Sequence, residues 1–122
     1  MQRSVRSSVS YHAGQSAEYF VASDYERRGY HIAERRWRGA GGEIDLIVRN
    51  ADGFVFVEVK KSSSFDAAAA RISRRQMDRI CASAAQYLDQ QPRGHLANAR
   101  FDAALVNAFG ELQIIENAFG QA

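Results

Sequence analysis

The chain has 122 residues, of which 46% are hydrophobic and 25% are charged, and its net charge is only +2. This balance is typical of a soluble globular protein and excludes disordered, fibrous and collagen-like classes. Because the length suits one domain, we expect a single domain over residues 13–119, between a flexible arm at 1–12 and a tail at 120–122. No apolar run reaches the length of a membrane span and no secretory signal is present, so we expect a cytoplasmic protein without a membrane partner.

The cysteine and histidine content excludes two further classes of protein. Cys81 is the only cysteine, so an internal disulfide cannot form, and one thiol with three scattered histidines cannot build a Cys/His zinc site. Cys81 falls on the apolar stripe of a predicted helix, where we expect a buried, inert thiol rather than a nucleophile. The histidines are expected to be surface or structural residues: His12, His31 and His95.

The first third of the chain predicts a helix followed by a strand. Residues 13–28 carry one acid and three apolar residues at helical spacing: Glu18, Val21, Ala22 and Tyr25. Gly29 suits the left-handed residue that ends a helix, and residues 30–35 alternate as in a first strand. The next glycines predict a flexible approach to a second strand, and they lack the Lys-Ser/Thr of a phosphate-binding loop: Gly39, Gly41 and Gly42.

The rest of the chain predicts a hairpin, a second helix and two further strands. Residues 43–49 and 54–60 form the hairpin around a turn at 50–53. Ser73 and Gln76 form a capping box, so the second helix is expected to begin near Ser73. The apolar stripe of that helix contains Met77, Ile80, Cys81, Ala84, Tyr87 and Leu88. Strands at 101–106 and 112–115 complete an α/β layer with a mixed sheet flanked by helices.

Charged side chains gather on one face of the predicted hairpin. Because strand residues alternate between faces, Glu43 shares a face with Asp45, and Glu58 shares a face with Lys60. A hairpin that closes on residues 51–52 places Asp45 across from Glu58 and Glu43 across from Lys60, with ~5 Å between Cβ atoms. The opposite face is expected to be the core side, which leaves the charged face open to a ligand: Ile44, Leu46, Val48, Val55, Val57 and Val59.

This constellation predicts a metal site. Two facing carboxylates repel unless a cation lies between them, and a divalent ion with oxygen ligands relieves that repulsion. A strand Asp followed by Glu-x-Lys is typical of metal-dependent nucleases, so we expect Asp45, Glu58 and the Val59 carbonyl to hold the ion, with Lys60 orienting or deprotonating the attacking water. Glu18 adds a carboxylate from the first predicted helix. It lies on the apolar stripe of that helix, where an unpaired charge is unfavourable, and a metal ion or a lysine would neutralise it. The alternative is a solvent-facing charge ladder.

Several motifs together resemble the YraN-like family of small bacterial proteins, which belongs to the restriction-endonuclease-like superfamily of PD-(D/E)xK nucleases. They are Gly-Gly-Glu-Ile-Asp-Leu-Ile (41–47), Phe-Val-Glu-Val-Lys (56–60), Arg-Gly-Tyr (28–30), Trp-Arg (37–38), Arg-Phe-Asp (100–102) and Ile-Glu-Asn-Ala-Phe (115–119). The resemblance spans about residues 14–119 and implies a restriction-endonuclease-like αβββαβ core with a magnesium site. The residues that it assigns to that site are Glu18, Asp45, Glu58 and Lys60.

This chain departs from the usual pattern of that family at three places. Arg36 stands where the family usually has Asn, Lys61-Ser62 where it often has Thr-Arg, and Gln76 where it has Lys. A more distant resemblance is to archaeal Holliday junction resolvases, which share the helix Glu, the strand Asp and the Glu-x-Lys motif and act as dimers. The chain is therefore a candidate homodimer.

The bases predict a nucleic-acid surface. Of 16 basic residues all but two are arginine, whose planar fork matches phosphate oxygens. Arg71, Arg75 and Arg79 recur at i+4 spacing and are expected to form a stripe on the second helix, with Arg74 beside it. Trp37 could stack a base or pack on the sheet edge. The predicted nucleic-acid contacts are Arg36, Trp37, Arg38, Lys61, Arg71, Arg74, Arg75 and Arg79, with Glu43 and Gln76 in secondary roles.

The sequence thus predicts a nuclease-like protein that uses Mg²⁺ or Mn²⁺ to hydrolyse phosphodiester bonds, with DNA favoured over RNA as its partner. Two alternatives stay open at this point. One is a binding or assembly module that keeps the fold without catalysis. The other is a dimeric endonuclease similar to the Holliday junction resolvases.

Overall fold

A computed structural model describes residues 13–119, so the arm predicted at 1–12, the tail predicted at 120–122 and His12 lie outside the described residues. Three helices and five strands follow one another in the order α, three β, two α, two β. Their bounds are α1 Ala13–Arg27, β1 His31–Gly39, β2 Gly42–Asn50, β3 Gly53–Lys61, α2 Phe65–Ala70, α3 Arg74–Asp89, β4 Asn98–Val106 and β5 Leu112–Ile115. A 3₁₀ turn at Gly94–Leu96 joins α3 to β4. None of the helices within 13–119 is long and apolar enough to cross a membrane.

The five strands form one mixed sheet in the order β1-β2-β3-β4-β5. The pair β3–β4 is parallel, and the other three neighbouring pairs are antiparallel. Helices α2 and α3 lie in the connection between the parallel strands, as a parallel pair requires a crossover. The mixed α/β sheet flanked by helices is therefore confirmed.

Both faces of the sheet are covered. Helix α1 buries Val21 and Tyr25 against Leu46 and Val57 on one face. On the other face, α3 packs Ile80, Ala84 and Tyr87 against Ile44, Ile47 and Phe56, while α2 packs Ala68 against Ala103 and Leu105. The expectation of one open, charged hairpin face is therefore wrong: that face carries its own apolar cluster. Ile44 also belongs to this second cluster and not to the predicted core side.

The first hairpin is tighter than the sequence predicts. Strand β1 runs on to Gly39, and β2 begins at Gly42, so the predicted flexible approach is a short turn. A Cβ on Gly41 would lie 2.4 Å from the carbonyl oxygen of Arg79, which shows how closely this turn approaches α3. The buried Ser83 hydroxyl donates to the Gly42 carbonyl, and the Gln86 side chain accepts from the Ala40 N–H. These contacts fix α3 over the β1–β2 hairpin.

The crossover region contains one helix that the sequence analysis missed. Helix α2 has four successive alanines, the best helix formers, and its cap residue Ser64 accepts from the N–H of Ala67. Helix α3 begins where it was predicted, and the Ser73 hydroxyl accepts from the N–H of Gln76. Cys81 is half-buried rather than buried, and burial raises the pKa of its thiol, as expected for an inert group.

Candidate metal and nucleic-acid site

The register of the β2–β3 hairpin is the one that the sequence predicts. Asn50 pairs with Gly53 and Leu46 pairs with Val57, and the ladder stops there. Beyond that point the Oδ2 atom of Asp45 accepts from the backbone N–H of Val59 at 2.8 Å. The Asp45 side chain thus takes the place of a ladder bond where the two strands part.

Glu58 lies in the gap between the parting strands and is only 4% exposed. Its Oε2 atom accepts from the side-chain amide of Gln76 at 2.8 Å and lies 3.9 Å from the Nζ atom of Lys60. Its Oε1 atom is buried with no hydrogen-bond partner, and it is the only side-chain nitrogen or oxygen in that condition among residues 16–94 and 96–119. A buried carboxylate oxygen without a donor is costly, so this atom marks a place where the fold leaves a polar group unsatisfied.

The two carboxylates perturb each other. Burial raises the pKa of Glu58 to about 8, and the negative charge of Asp45 adds to the rise while Lys60 opposes it. Burial also raises the pKa of Asp45 to about 6, although the N–H of Val59 acts in the other direction, and Glu18 adds a further repulsion. Both groups are thus held where a positive charge would be favourable.

Glu18 approaches this pair from α1 but has its own partner. Its Oε1 atom lies 3.0 Å from the Nε atom of Arg36 on β1. No three His, Cys, Asp or Glu side chains among residues 13–119 come together as a ready metal-ligand group. The structure therefore gathers Asp45, Glu58 and Lys60 closely, and it holds Glu18 at their edge through Arg36.

Glu43 and Lys60 were expected to lie across from each other, and they do not form the ion pair that the charge-ladder alternative requires. Glu43 Oε1 instead lies 3.3 Å from Nη2 of Arg38 on β1, because the β2–β3 ladder ends before Glu43 while the β1–β2 ladder continues through it. Lys60 turns to Glu58 on its own strand. The alternative to a metal site, a charge ladder along the hairpin, therefore lacks the ion pair between Glu43 and Lys60.

The residues present suit a hard divalent cation. Carboxylate oxygens are the ligands that Mg²⁺ and Mn²⁺ prefer, and Asp45 and Glu58 supply them from adjacent strands. The unpartnered Oε1 of Glu58 is free to coordinate without breaking a hydrogen bond. The Val59 carbonyl stays a predicted ligand; what the structure adds is that its N–H orients Asp45.

The predicted basic stripe is broken. Arg71 lies between α2 and α3, not on a helix, and its guanidinium donates to the carbonyl of Lys61 at 2.8 Å. Arg74 is paired with Asp78 on the surface of α3. Arg75 and Arg79 remain, one turn apart and exposed, next to Gln76 at the start of α3.

Trp37 packs against the protein. Its ring meets Tyr87 edge to face with 5.1 Å between centroids, and it joins the cluster between α3 and the sheet. Trp37 therefore packs within the protein, which was the alternative to base stacking. Two histidines were expected to be surface or structural residues; His31 is exposed at the start of β1, and the backbone of His95 lies in the 3₁₀ turn.

Two features of the site were missed. Gln76 was expected to complete a capping box, yet its amide reaches Glu58, because its position in the first turn of α3 faces the gap between β2 and β3. Arg36 pairs with Glu18, a contact that was not expected, and its role in binding nucleic acid stays a prediction. The sequence around Ser73 and Gln76 indicates a helix cap and does not reveal the contact between Gln76 and Glu58. No feature of the sequence near Arg36 indicates that it pairs with Glu18.

The comparisons with known proteins agree on one family. The model of the Uncharacterised protein family UPF0102 matches residues 17–106. A UPF0102 protein of Cereibacter sphaeroides strain KD131 is 60% identical over 111 residues, covering 91% of this chain and 95% of the relative. A UPF0102 protein of Ruegeria pomeroyi is 56% identical over 108 residues and 88% of each chain, and one of Dinoroseobacter shibae is 40% identical over 115 residues, 94% of this chain and 86% of the relative. This chain therefore belongs to the UPF0102 family, the YraN-like family that its motifs resemble.

Proposed function

We propose that this protein is a metal-dependent nuclease that hydrolyses phosphodiester bonds in nucleic acid, with DNA as the preferred substrate. The observation that carries the proposal is Glu58, a buried carboxylate beside Asp45 with one oxygen that no group in the described chain satisfies. A site that had lost its activity would have no physical reason to keep two such acids together, because the repulsion between them destabilises the fold.

The fold supports the same proposal. The helix Glu, the strand Asp and the Glu-x-Lys motif occupy α1, β2 and β3. We infer that these elements, with α3 and β4, form a restriction-endonuclease-like αβββαβ core, to which α2 and β5 are added. Fold alone does not establish function, so the chemistry of the site carries the weight.

Each site residue has a separate task. Asp45 and Glu58 would hold Mg²⁺ or Mn²⁺ together with the Val59 carbonyl. When bound, such an ion supplies Lewis acidity at a phosphoryl oxygen and a water that loses its proton near neutral pH. Gln76 fixes Oε2 of Glu58, which leaves Oε1 free. Lys60, whose Nζ atom lies beside Glu58, orients the attacking water.

The substrate would approach from the start of α3. Arg75 and Arg79 are exposed there, one helical turn apart, and like charges at this spacing repel each other slightly. A phosphate between them reverses the sign of that interaction. These two arginines are therefore the proposed phosphate contacts, together with the exposed Arg38.

Cleavage of labelled substrates tests the proposal. Duplex, single strand, flap, four-way junction and RNA are each incubated with Mg²⁺ or Mn²⁺. We expect the wild type to cut at least one DNA substrate, and Asp45→Ala to cut none. Asp52→Ala, which removes an exposed acid at the far end of the same hairpin, is the matched control and should keep activity.

Lys60→Ala separates the two roles in the site. It should retain a metal-dependent rise in melting temperature and lose cleavage, because the lysine acts on the water and not on the ion. If the wild type binds nucleic acid but cuts nothing with either metal, the protein is a binding module. Cleavage confined to four-way junctions, by a chain that sediments as a dimer, would instead favour the resolvase alternative.

A further inference from the structure

Arg36 has an unusual backbone for a residue inside a strand. Its φ is 51°, in the left-handed region that residues with a Cβ rarely adopt. It lies between the paired residues Arg35 and Trp37, and its own place in the β1–β2 ladder, opposite Asp45, has no partner. The packing of Trp37 on Tyr87 holds the following residue in place, so the distortion is built into β1. Backbone outliers of this kind collect at functional sites and give reason to ask what the side chain does.

The side chain of Arg36 is the counterion of the site on the side away from Lys60. Its Nε atom lies 3.0 Å from Glu18 Oε1, and Glu18 is 17% exposed while Arg36 is 47% exposed. Glu18 raises the pKa of Arg36, and the negative charges of Glu43 and Asp45 add to the rise, although Glu18 alone contacts the guanidinium. Because Arg36 is half-exposed, it can leave this pair for solvent without any change in the core.

We propose that Arg36 is a displaceable counterion, which competes with a divalent cation for Glu18 and so lowers the affinity of the site for metal. This inference rests on the proposed function, since it assumes that Asp45 and Glu58 bind the cation. Glu18 then has two alternative positive partners, of which the structure shows one. Arg36 is a positioning residue, because it affects metal binding only through Glu18.

A titration with Mn²⁺, followed by calorimetry, tests the competition. The variant Arg36→Asn removes the charge, and Asn tolerates the left-handed backbone that this position requires. Arg35→Asn is the matched control, because it removes the same charge from an exposed arginine on the same strand. We expect Arg36→Asn to bind Mn²⁺ about threefold or more tightly than Arg35→Asn does, the size of one partly exposed ion pair.

A second background shows whether the effect passes through Glu18. In Glu18→Gln, the substitution Arg36→Asn should change the Mn²⁺ affinity no more than Arg35→Asn does, because the pair is already broken. Equal effects of Arg36→Asn with and without Glu18 would overturn the proposal, as would an unchanged or weaker affinity in Arg36→Asn alone. A wild type that binds no Mn²⁺ would overturn the proposed function as well, whereas tight binding that ignores Arg36 overturns only this inference.

Discussion

Two buried carboxylates lie on opposite sides of the same sheet and differ in how completely their oxygens are hydrogen-bonded. Asp102 on β4 is fully buried, and its oxygens accept from the Tyr25 hydroxyl at 2.6 Å, from Arg100 through two nitrogens at 2.9 and 3.0 Å, and from the N–H of Asn117 at 3.0 Å. Glu58 on β3 is 4% exposed, has one amide donor and a lysine at 3.9 Å, and leaves Oε1 without a partner.

The hydrogen bonds of Asp102 give this residue a structural role. Asp102 ties α1, β4 and the turn after β5 together, and each of its two oxygens accepts two hydrogen bonds. Burial and the contact with Asp102 raise the pKa of the Tyr25 hydroxyl, and Asp102 likewise raises the pKa of Arg100. Glu58 is equally buried and incompletely satisfied. Burial alone therefore does not distinguish the two acids; the oxygen of Glu58 without a hydrogen-bond partner does, and it is the reason that we propose a functional role for Glu58.

The largest expected effect is at Asp102. Asp102→Ala leaves the buried Tyr25 hydroxyl without its acceptor and removes the partner of Arg100, so we expect a loss of about 3 kcal/mol in the free energy of unfolding. Urea denaturation measures it. Asp24→Ala, which breaks only surface ion pairs on α1, is the control and should cost less than about 1 kcal/mol. Similar losses for both variants would remove the structural role of Asp102.

The effect at Glu58 should have the opposite sign. Burial and Asp45 raise the pKa of Glu58 to about 8, so the charged form destabilises the folded state. Glu58→Gln removes that charge and keeps the shape, and we expect it to be about 1 kcal/mol or more stable than the wild type at pH 8 with EDTA present. A less stable variant would show that the carboxylate is satisfied after all.

The same shift predicts a pH dependence. Because the folded pKa of Glu58 is raised, the folded state binds more protons than the unfolded state between the ordinary pKa of a glutamate and about 8. The stability of the wild type in EDTA should therefore fall as pH rises through that interval, and Glu58→Gln should flatten the fall. Parallel urea titrations from pH 5 to pH 9 check this; identical slopes would contradict it.

The smallest effect on stability is expected at the exposed arginines. Arg100 is held by Asp102, whereas Arg75 and Arg79 have no ion-pair partner in the described part of the chain. Arg75→Ala with Arg79→Ala should change stability by less than about 0.5 kcal/mol. The double variant should weaken duplex binding and lower the salt slope by about two.

The control for this double variant is Arg27→Ala with Arg49→Ala, which removes equal charge from exposed positions far along α1 and β2. Both affinity and salt slope should stay closer to the wild type. If the two double variants lose binding equally, net charge and not a local phosphate contact accounts for the affinity.

Alternation and turn chemistry were enough to predict the β2–β3 register, because Asn50 to Gly53 close the hairpin and every later pair follows from that turn. They could not predict where the ladder stops, since the Asp45 side chain replaces a backbone acceptor there. The covering of the second face by α3 depends on the Gly41 contact and on Ser83, which are tertiary. The partners of Glu18 and Gln76 were hidden for the same reason: each lies on an element distant in sequence.

We propose that Asp45 and Glu58 form a site for a divalent cation. Calorimetric titration with Mn²⁺ of the wild type, Asp45→Asn and the control Asp52→Asn measures whether they do. We expect one ion per chain for the wild type and for Asp52→Asn, and no measurable binding for Asp45→Asn. Equal binding by all three proteins, or none by the wild type, would contradict it.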